Sequence, residues 1–362
     1  MKITHVTTRT VSVSTENSLV VGLPPRNDMR EFVTLELGTD QGLVGIGLTF
    51  FGAALTPALH SAVETLANLC TGEDPHNVEL IAAKLRAAAS SSGPGGIFTL
   101  AMSAVDIACW DLMGKAAGKS VCALLGGRDR APTYASGIGL RGFPLDYLAK
   151  AGPRLVDMGF RQMKMQCGSE ATISASVERV RVMREGIGPD IDLMCDINQL
   201  WDVHQAIAAG KRIEEAGGLY WLEDPTTHDD YPGLARIADN LTMPVAAGEY
   251  CYGISSFRHL LENRSVDIVM VDTLRAGGFT QWLKIAAMAE AFNMPIVSHL
   301  MPEINVHMVA AVPNGLTVEY MPWTHTLFED IPPIEDGQLI VPAKPGLGLA
   351  FDQAALKKHQ VA

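Results

Sequence analysis

At 362 residues, with 48% apolar and 19% charged side chains, the chain has material for a large core and is excluded from the disordered and highly solvated classes. Its formal charge of −12, without a basic stripe, argues against nucleic acid as a partner, although a metal or a few Lys and Arg can invert the field inside one pocket. Six cysteines scattered without CxxC pairing read as reduced core residues. The N-terminal stretch has no apolar signal segment, and the longest weakly polar run, Leu43 to Leu55, falls short of the roughly 20 residues a membrane span needs. The expectation is a cytoplasmic protein with no membrane partner.

Taken in order, residues 2 to 14 and 31 to 37 alternate apolar with polar, and Thr39-Asp40-Gln41-Gly42 turns the chain into LVGIGLT. This predicts an antiparallel meander. The long connection Glu16 to Arg30 reads either as a surface loop or as a lid over a pocket. Helical patterns follow at 54 to 69 and 76 to 89, then SSSGPGG as a flexible loop, then a long helix from Phe98 to Ala117. Asp106 lies among apolar neighbours in that helix, so a partnered structural role is expected for it. After Gly127 the pattern changes to strand-helix alternation, which places a domain boundary near 130. The alternation runs to Tyr320, and a Pro- and Gly-rich tail from Met321 is expected to pack back on the first domain.

Within the alternating part, IDLMCD ends in Asp196, LYWLE in Glu223, MPVAAGE in Glu249, VDIVMVD in Asp272, MPIVSH in His299 and LTVE in Glu319. Lys164 lies one unit earlier, in GFRQMKMQCG. Each step is about one βα unit, so these polar groups recur at one phase of successive units and emerge together at one end of a parallel barrel. Between Asp272 and His299, Trp282, Ile285, Ala289 and Phe292 fall at helical spacing, with Thr280 as the expected cap after Gly277 and Gly278.

Three strand-end carboxylates, Asp196, Glu223 and Glu249, would repel one another unless a hard divalent cation bridged them; Mg²⁺ fits best and Mn²⁺ could substitute. No Cys or His accompanies them at zinc-like spacing. His299 with Asp272 forms a base whose tautomer a carboxylate fixes. Lys164 faces an anionic substrate, and a protonated Glu319 is expected to donate a hydrogen bond. Together these groups can remove the proton α to a metal-held carboxylate and stabilise the resulting enediolate.

On the motifs SAVDIACWDLMGKAAG, GFRQMKMQCG, DINQLWD, WLEDP, GEY, VDTLRAGGFTQW, SHLMPEINVHMVAA, VEY and PGLGL, in this order, nearly the whole chain resembles the mandelate racemase subgroup of the enolase superfamily. That superfamily is known for a Lys or His base working with Mg²⁺ on an enediolate. The resemblance implies an α/β fold, a modified (β/α)8 TIM-type barrel (131–320) with an N-terminal α+β capping domain (1–130) on which the tail 321–362 packs. It implies Asp196, Glu223 and Glu249 as Mg²⁺ ligands, His299 with Asp272 as a base dyad, Glu319 as a donor to the enolate, and a lid around Val20 to Arg26. A homo-oligomer, dimer to octamer, is also implied.

Two positions depart from the pattern. Gln166 replaces the second Lys of Lys-x-Lys, and it cannot exchange protons near neutral pH, which counts against two-base racemisation. Tyr250 stands where Asn commonly follows the third ligand. The remaining one-base chemistry is dehydration of a sugar acid to a 2-keto-3-deoxy acid, with Lys164 serving the enediolate, Gln166 or Asn198 binding hydroxyls, and Arg26 meeting a distal carboxylate of a diacid. A racemase or epimerase of a 2-hydroxy acid, and a Mg²⁺-binding member without catalysis, remain the alternatives.

Overall fold

The computed structural model describes residues 1–24, 26, 28–93 and 95–361. Its first part is an antiparallel meander of β1 (Ile3–Ser14), β2 (Met29–Thr39) and β3 (Val44–Thr49), covered by α1 (Thr56–Leu69), α2 (Val78–Ala89) and α3 (Gly96–Ala117) and followed by the short α4 (Val121–Leu124). β2 starts two residues before the alternating run visible in the sequence, which puts Arg30 on the strand. The longest apolar stretch is α3 rather than Leu43 to Leu55. It is long and apolar enough to span a membrane, but 78% of its apolar window is buried inside the protein, against β3 and α1.

The second part alternates strictly: β4 (Arg130–Gly139), α5 (Leu145–Asp157), β5 (Gln162–Gln166), α6 (Ile173–Ile187), β6 (Asp192–Asp196), α7 (Val203–Glu215), β7 (Trp221–Glu223) and α8 (Tyr231–Asn240). It continues through β8 (Val245–Ala247), α9 (Gly253–Glu262), β9 (Ile268–Asp272), the short α10 (Thr273–Ala276), α11 (Phe279–Ala291), β10 (Ile296–His299), α12 (Pro302–Ala311) and β11 (Gly315–Tyr320). Each strand pairs in parallel with the next, and β11 returns to β4, so eight strands close into a barrel. The fold is therefore a modified TIM-type barrel with an N-terminal α+β capping domain.

Alternation along the strands sets the site. Met194, Trp221, Met270 and Val297 point inward with Tyr134, Ala246 and Ile268 and fill the barrel as a buried cluster of their own. Two residues further on each of four strands, on the same face, lie Asp196, Glu223, Asp272 and His299. The pairing register sets Asp196 beside Glu223 and His299 beside Asp272. An apolar plug thus ends where the charged layer begins.

The tail binds both parts. β12 (Ile334–Glu335) and β13 (Gln338–Ile340) form a hairpin whose second strand adds to β4. α13 (Gln353–His359) lies on β1, where the His359 ring contacts the Ser12 carbonyl at 3.2 Å. Asp111 of α3 accepts from Leu347 N at 2.8 Å.

Two local expectations change. Thr280 is not a cap: Gly278 holds that position at φ 100°, and the α11 N-terminus is satisfied from the other domain, where Asp106 accepts from Thr280 N at 3.0 Å. The Thr280 hydroxyl instead accepts from Trp110 Nε1 at 2.9 Å. A side chain on Gly278 would collide with Asp106, so glycine is required there for close approach as well as for its backbone. Phe292, the last residue of the helical pattern, is the C-cap and is 47% exposed.

Candidate active site

The mouth of the barrel opens into a cavity of about 820 Å³. The capping domain forms its other wall, with Asn17, Val20, Leu23 and Arg26 from the first connection, Arg30 from the start of β2 and Phe51 from the residues after β3. That connection is tied to the barrel: Asn17 donates to Ser136 O at 2.7 Å, Arg154 donates to Leu19 O, and the Leu19 side chain is buried. Pro25 and Asn27, within the expected lid, lie outside the described residues.

On one side of the mouth, ligand oxygens of Asp196, Glu223 and Asp224 lie within 4.8 Å of one another, all buried. Asp224 directly follows Glu223 and is turned inward by a backbone with φ 40°. Burial lifts the Asp196 carboxyl to about 6, with Lys164 opposing and Glu249 adding to the rise. Burial likewise lifts Glu223 to about 8; Lys164 opposes the rise, and Asp196, Glu249 and Glu319 reinforce it. Both Asp224 oxygens and Glu249 Oε2 are buried with no hydrogen-bond partner among the described residues. Buried, mutually repelling and undonated carboxylate oxygens are the donor set a hard divalent cation satisfies. The residues therefore fit a Mg²⁺-type ion.

Lys164, 4% exposed, bridges Glu223 and Glu319, the latter at 2.9 Å, and its ammonium lies 5.5 Å over the Tyr134 ring. Burial alone would lower its pKa, but Glu223 and Glu319 outweigh burial and raise it. Across the mouth, His299 Nδ1 contacts Asp272 Oδ2 at 2.7 Å, and Asp272 also caps α10 by accepting from Arg275 N at 2.8 Å. This fixes the proton on Nδ1 and turns Nε2 to the cavity. Nε2 lies 3.1 Å from Glu249 Oε2, an attractive distance without hydrogen-bond alignment, and 4.0 Å from Glu319 Oε2. Burial pulls the imidazole pKa down, yet Glu249, Asp272 and Glu319 together raise it to about 9. Phe51 covers the ring from the capping domain, near parallel at 13° with centroids 6.3 Å apart.

Residues 5–126 match the mandelate racemase/muconate lactonizing enzyme N-terminal domain, and residues 146–355 match the enolase C-terminal domain-like family. The chain belongs to the mandelate racemase group of the enolase superfamily. Among its relatives in the group, the 3,6-anhydro-alpha-L-galactonate cycloisomerase of Streptomyces coelicolor is 33% identical, over 89% of each chain. The L-talarate/galactarate dehydratase of Salmonella typhimurium is 29% identical, over 91% of this chain and 82% of its own. The structure of L-talarate dehydratase from Polaromonas, complexed with Mg and L-glucarate, superimposes with a TM-score of 0.91 at 30% identity, covering 100% of this chain and 98% of that one.

Set beside the group's pattern, the residues expected from the sequence all line or adjoin this one cavity, with differences of role. The acids that converge most closely are Asp196, Glu223 and Asp224, while Glu249, expected as the third ligand, also reaches toward His299. Asp224 was not anticipated, and its only sequence signal is adjacency to Glu223. Glu319 is an acceptor rather than a protonated donor in this arrangement. Although burial favours its neutral form, Lys164 and His299 hold its pKa down to about 2, and it accepts from Ser136 Oγ at 2.6 Å and Leu300 N at 2.6 Å.

Gln166 Nε2 donates to Asn198 Oδ1 at 3.1 Å and lies 3.4 Å from Asp196 Oδ2. Asn198 accepts from Arg141 at 2.8 Å and donates to the Tyr250 hydroxyl at 3.3 Å. Tyr250 thus continues this polar chain, which accounts for a tyrosine at that position. Arg26 is neutralised by Asp28 at 2.9 Å and lies over the Phe143 ring. Arg141 and Arg275 were missed because their contacts come from loops beyond the strand ends.

Proposed function

We propose that this protein is a Mg²⁺-dependent acid sugar dehydratase: it abstracts the proton α to a carboxylate and eliminates a β-hydroxyl as water, giving a 2-keto-3-deoxy acid. The observation that carries the reading is a titratable imidazole, His299, and the Lys164 ammonium on either side of a buried acid cluster. Asp196 and Glu223, with Glu249 and the adjacent Asp224, would hold the ion. When bound, Mg²⁺ supplies a Lewis acid for the substrate carboxylate, with Mn²⁺ able to replace it.

His299 Nε2, turned to the cavity by the Nδ1 contact with Asp272, takes the α-proton. Asp272 holds the opposite nitrogen and stabilises the imidazolium, which can then protonate the departing hydroxyl on the same face. Lys164 stays protonated between Glu223 and Glu319 and offsets charge developing on the enediolate. Gln166 and Asn198 orient substrate hydroxyls. Phe51 keeps water from the imidazole face.

Support also comes from relatives: dehydratases of L-talarate/galactarate, arabinonate and D-xylonate are among them. Isomerisation is the second reading, because two relatives are cycloisomerases. Racemisation by two bases is disfavoured by Gln166 and by the locked ammonium of Lys164. Six free, buried cysteines suit action in the reducing cytoplasm. Purified protein with Mg²⁺ in deuterium oxide, screened against sugar acids, tests the reading. Keto product that disappears in His299→Asn supports it; α-deuterated or inverted substrate without keto product replaces it with the isomerase.

A further inference from the structure

The cavity has a second electrostatic end. Four arginines line the cavity: Arg141 and Arg275, which bond to backbone carbonyls of the acid cluster (Asp196 and Glu249), and Arg26 and Arg30 from the capping domain. Three are already engaged. Arg26 pairs with Asp28; Arg141 donates to Asn198 Oδ1 at 2.8 Å and to the Cys167 carbonyl at 2.7 Å; Arg275 donates to the Glu249 carbonyl at 2.9 Å and lies 3.8 Å over the Phe51 ring.

Arg30 differs. It is two residues before Phe32 on β2, on the same side of the strand, but is exposed at the rim of the cavity, whereas Phe32 is buried. Phe32 packs on Phe50 at 4.8 Å, Phe50 lies edge-on to Trp323 at 6.5 Å, and the Arg30 guanidinium lies 4.7 Å over the Trp323 ring. Stacking fixes the plane of the guanidinium and leaves its N–H edge open to the cavity. Among the described residues that edge has no hydrogen-bond acceptor and no ion pair. The acids that face it are Asp28, whose Oδ2 is held by Arg26, and the exposed Glu16 of the same cavity wall. Arg30 is itself exposed, so its edge is reachable from the cavity it lines.

A fixed guanidinium edge matches a carboxylate by two parallel hydrogen bonds, whereas a terminal hydroxyl offers it one weaker acceptor. We propose that Arg30 is the subsite for a second substrate carboxylate, so that the protein acts on diacids, the aldarates, in preference to aldonates. The claim about substrate class rests on the dehydratase reading; the claim about recognition does not.

Each hexarate is paired with the hexonate of the same configuration, galactarate with galactonate among them, and binding to the Mg²⁺-loaded protein is measured by calorimetry. At least one hexarate is expected to bind about 10- to 100-fold more tightly than its partner, the range of one charge-assisted pair. Arg30→Gln should erase that margin without weakening hexonate binding, Arg30→Lys should retain part of it, and both variants should melt with the wild type. Equal affinities within every pair, binding of no hexarate, or equal loss for both acids in Arg30→Gln would overturn the subsite. Keto product is read in the same samples. A binding margin with no keto product from any acid overturns the dehydratase reading and leaves the subsite standing; dehydration of hexonates as readily as hexarates, unaffected by Arg30→Gln, does the reverse.

Discussion

The floor and the mouth of the barrel are built by the same strands, two residues apart, and could hardly differ more. At the floor Met194, Trp221, Met270 and Val297 are fully buried and apolar. At the mouth Asp196, Glu223, Asp272, His299, Lys164 and Glu319 are almost as buried and all ionisable. Burial at the floor stabilises the fold. Burial at the mouth strains it, because charges removed from water must find partners, and the chemistry follows from that unmet demand. The two layers can therefore be perturbed separately.

The largest separation is expected from His299→Asn. Keto-product formation should fall roughly 10²- to 10⁴-fold, the range of a positioned base, while the melting temperature changes little. Loss of folding instead would break the distinction between layers. The converse change lies two strand positions below Asp272. Met270→Ala should cost roughly 2–5 kcal/mol in urea unfolding by leaving a cavity in the floor, with turnover per folded molecule nearly kept.

A buried ionisable group outside both layers calibrates them. His307 on α12 accepts from Cys122 N at 3.3 Å and contacts the Leu347 carbonyl at 3.0 Å, and burial lowers its pKa to about 4. Its ordinary value is 6.5, so on acidification the unfolded chain binds the proton first. Its contribution is intact above pH 6.5 and is lost as pH falls toward 4, by roughly 3 kcal/mol in all. His307→Asn should remove that part of the acid slope, read as the difference in unfolding free energy between pH 6.5 and 4. Finally, Mg²⁺ at about 100 times its dissociation constant should stabilise the folded state by about 3 kcal/mol, and this should vanish in Glu223→Gln. Stabilisation that survives in the variant would move the ion away from the acid cluster.

What could be read from the sequence follows the same division. The ring of strand-end groups was legible because parallel strands repeat one phase, so Asp196 to Glu319 declared their shared side without any knowledge of contacts. What escaped depends on contacts between domains. Thr280 looked like a cap because the real partner, Asp106, comes from a helix on the capping domain. The same holds for Phe51, whose ring meets His299 from across the cavity, and for Arg30, which the sequence left in a loop and the structure sets on β2 above Trp323. The contacts of Glu319 with Lys164, Ser136 and Leu300 were also out of reach, since they depend on how side chains from different strands settle together. Strand phase is local information; domain docking is not.

The contact of α13 with β1 bears on how the cavity is held together. His359 reaches Ser12 across 347 positions of sequence, so the meander that carries one wall of the cavity is braced by a helix remote from it in sequence. Contacts of such long range carry a larger loop-closure cost than pairs of neighbouring strands do. The two walls of the cavity therefore differ in what holds them: pairing of neighbouring strands sets the acid cluster, while a sequence-distant helix braces the meander opposite.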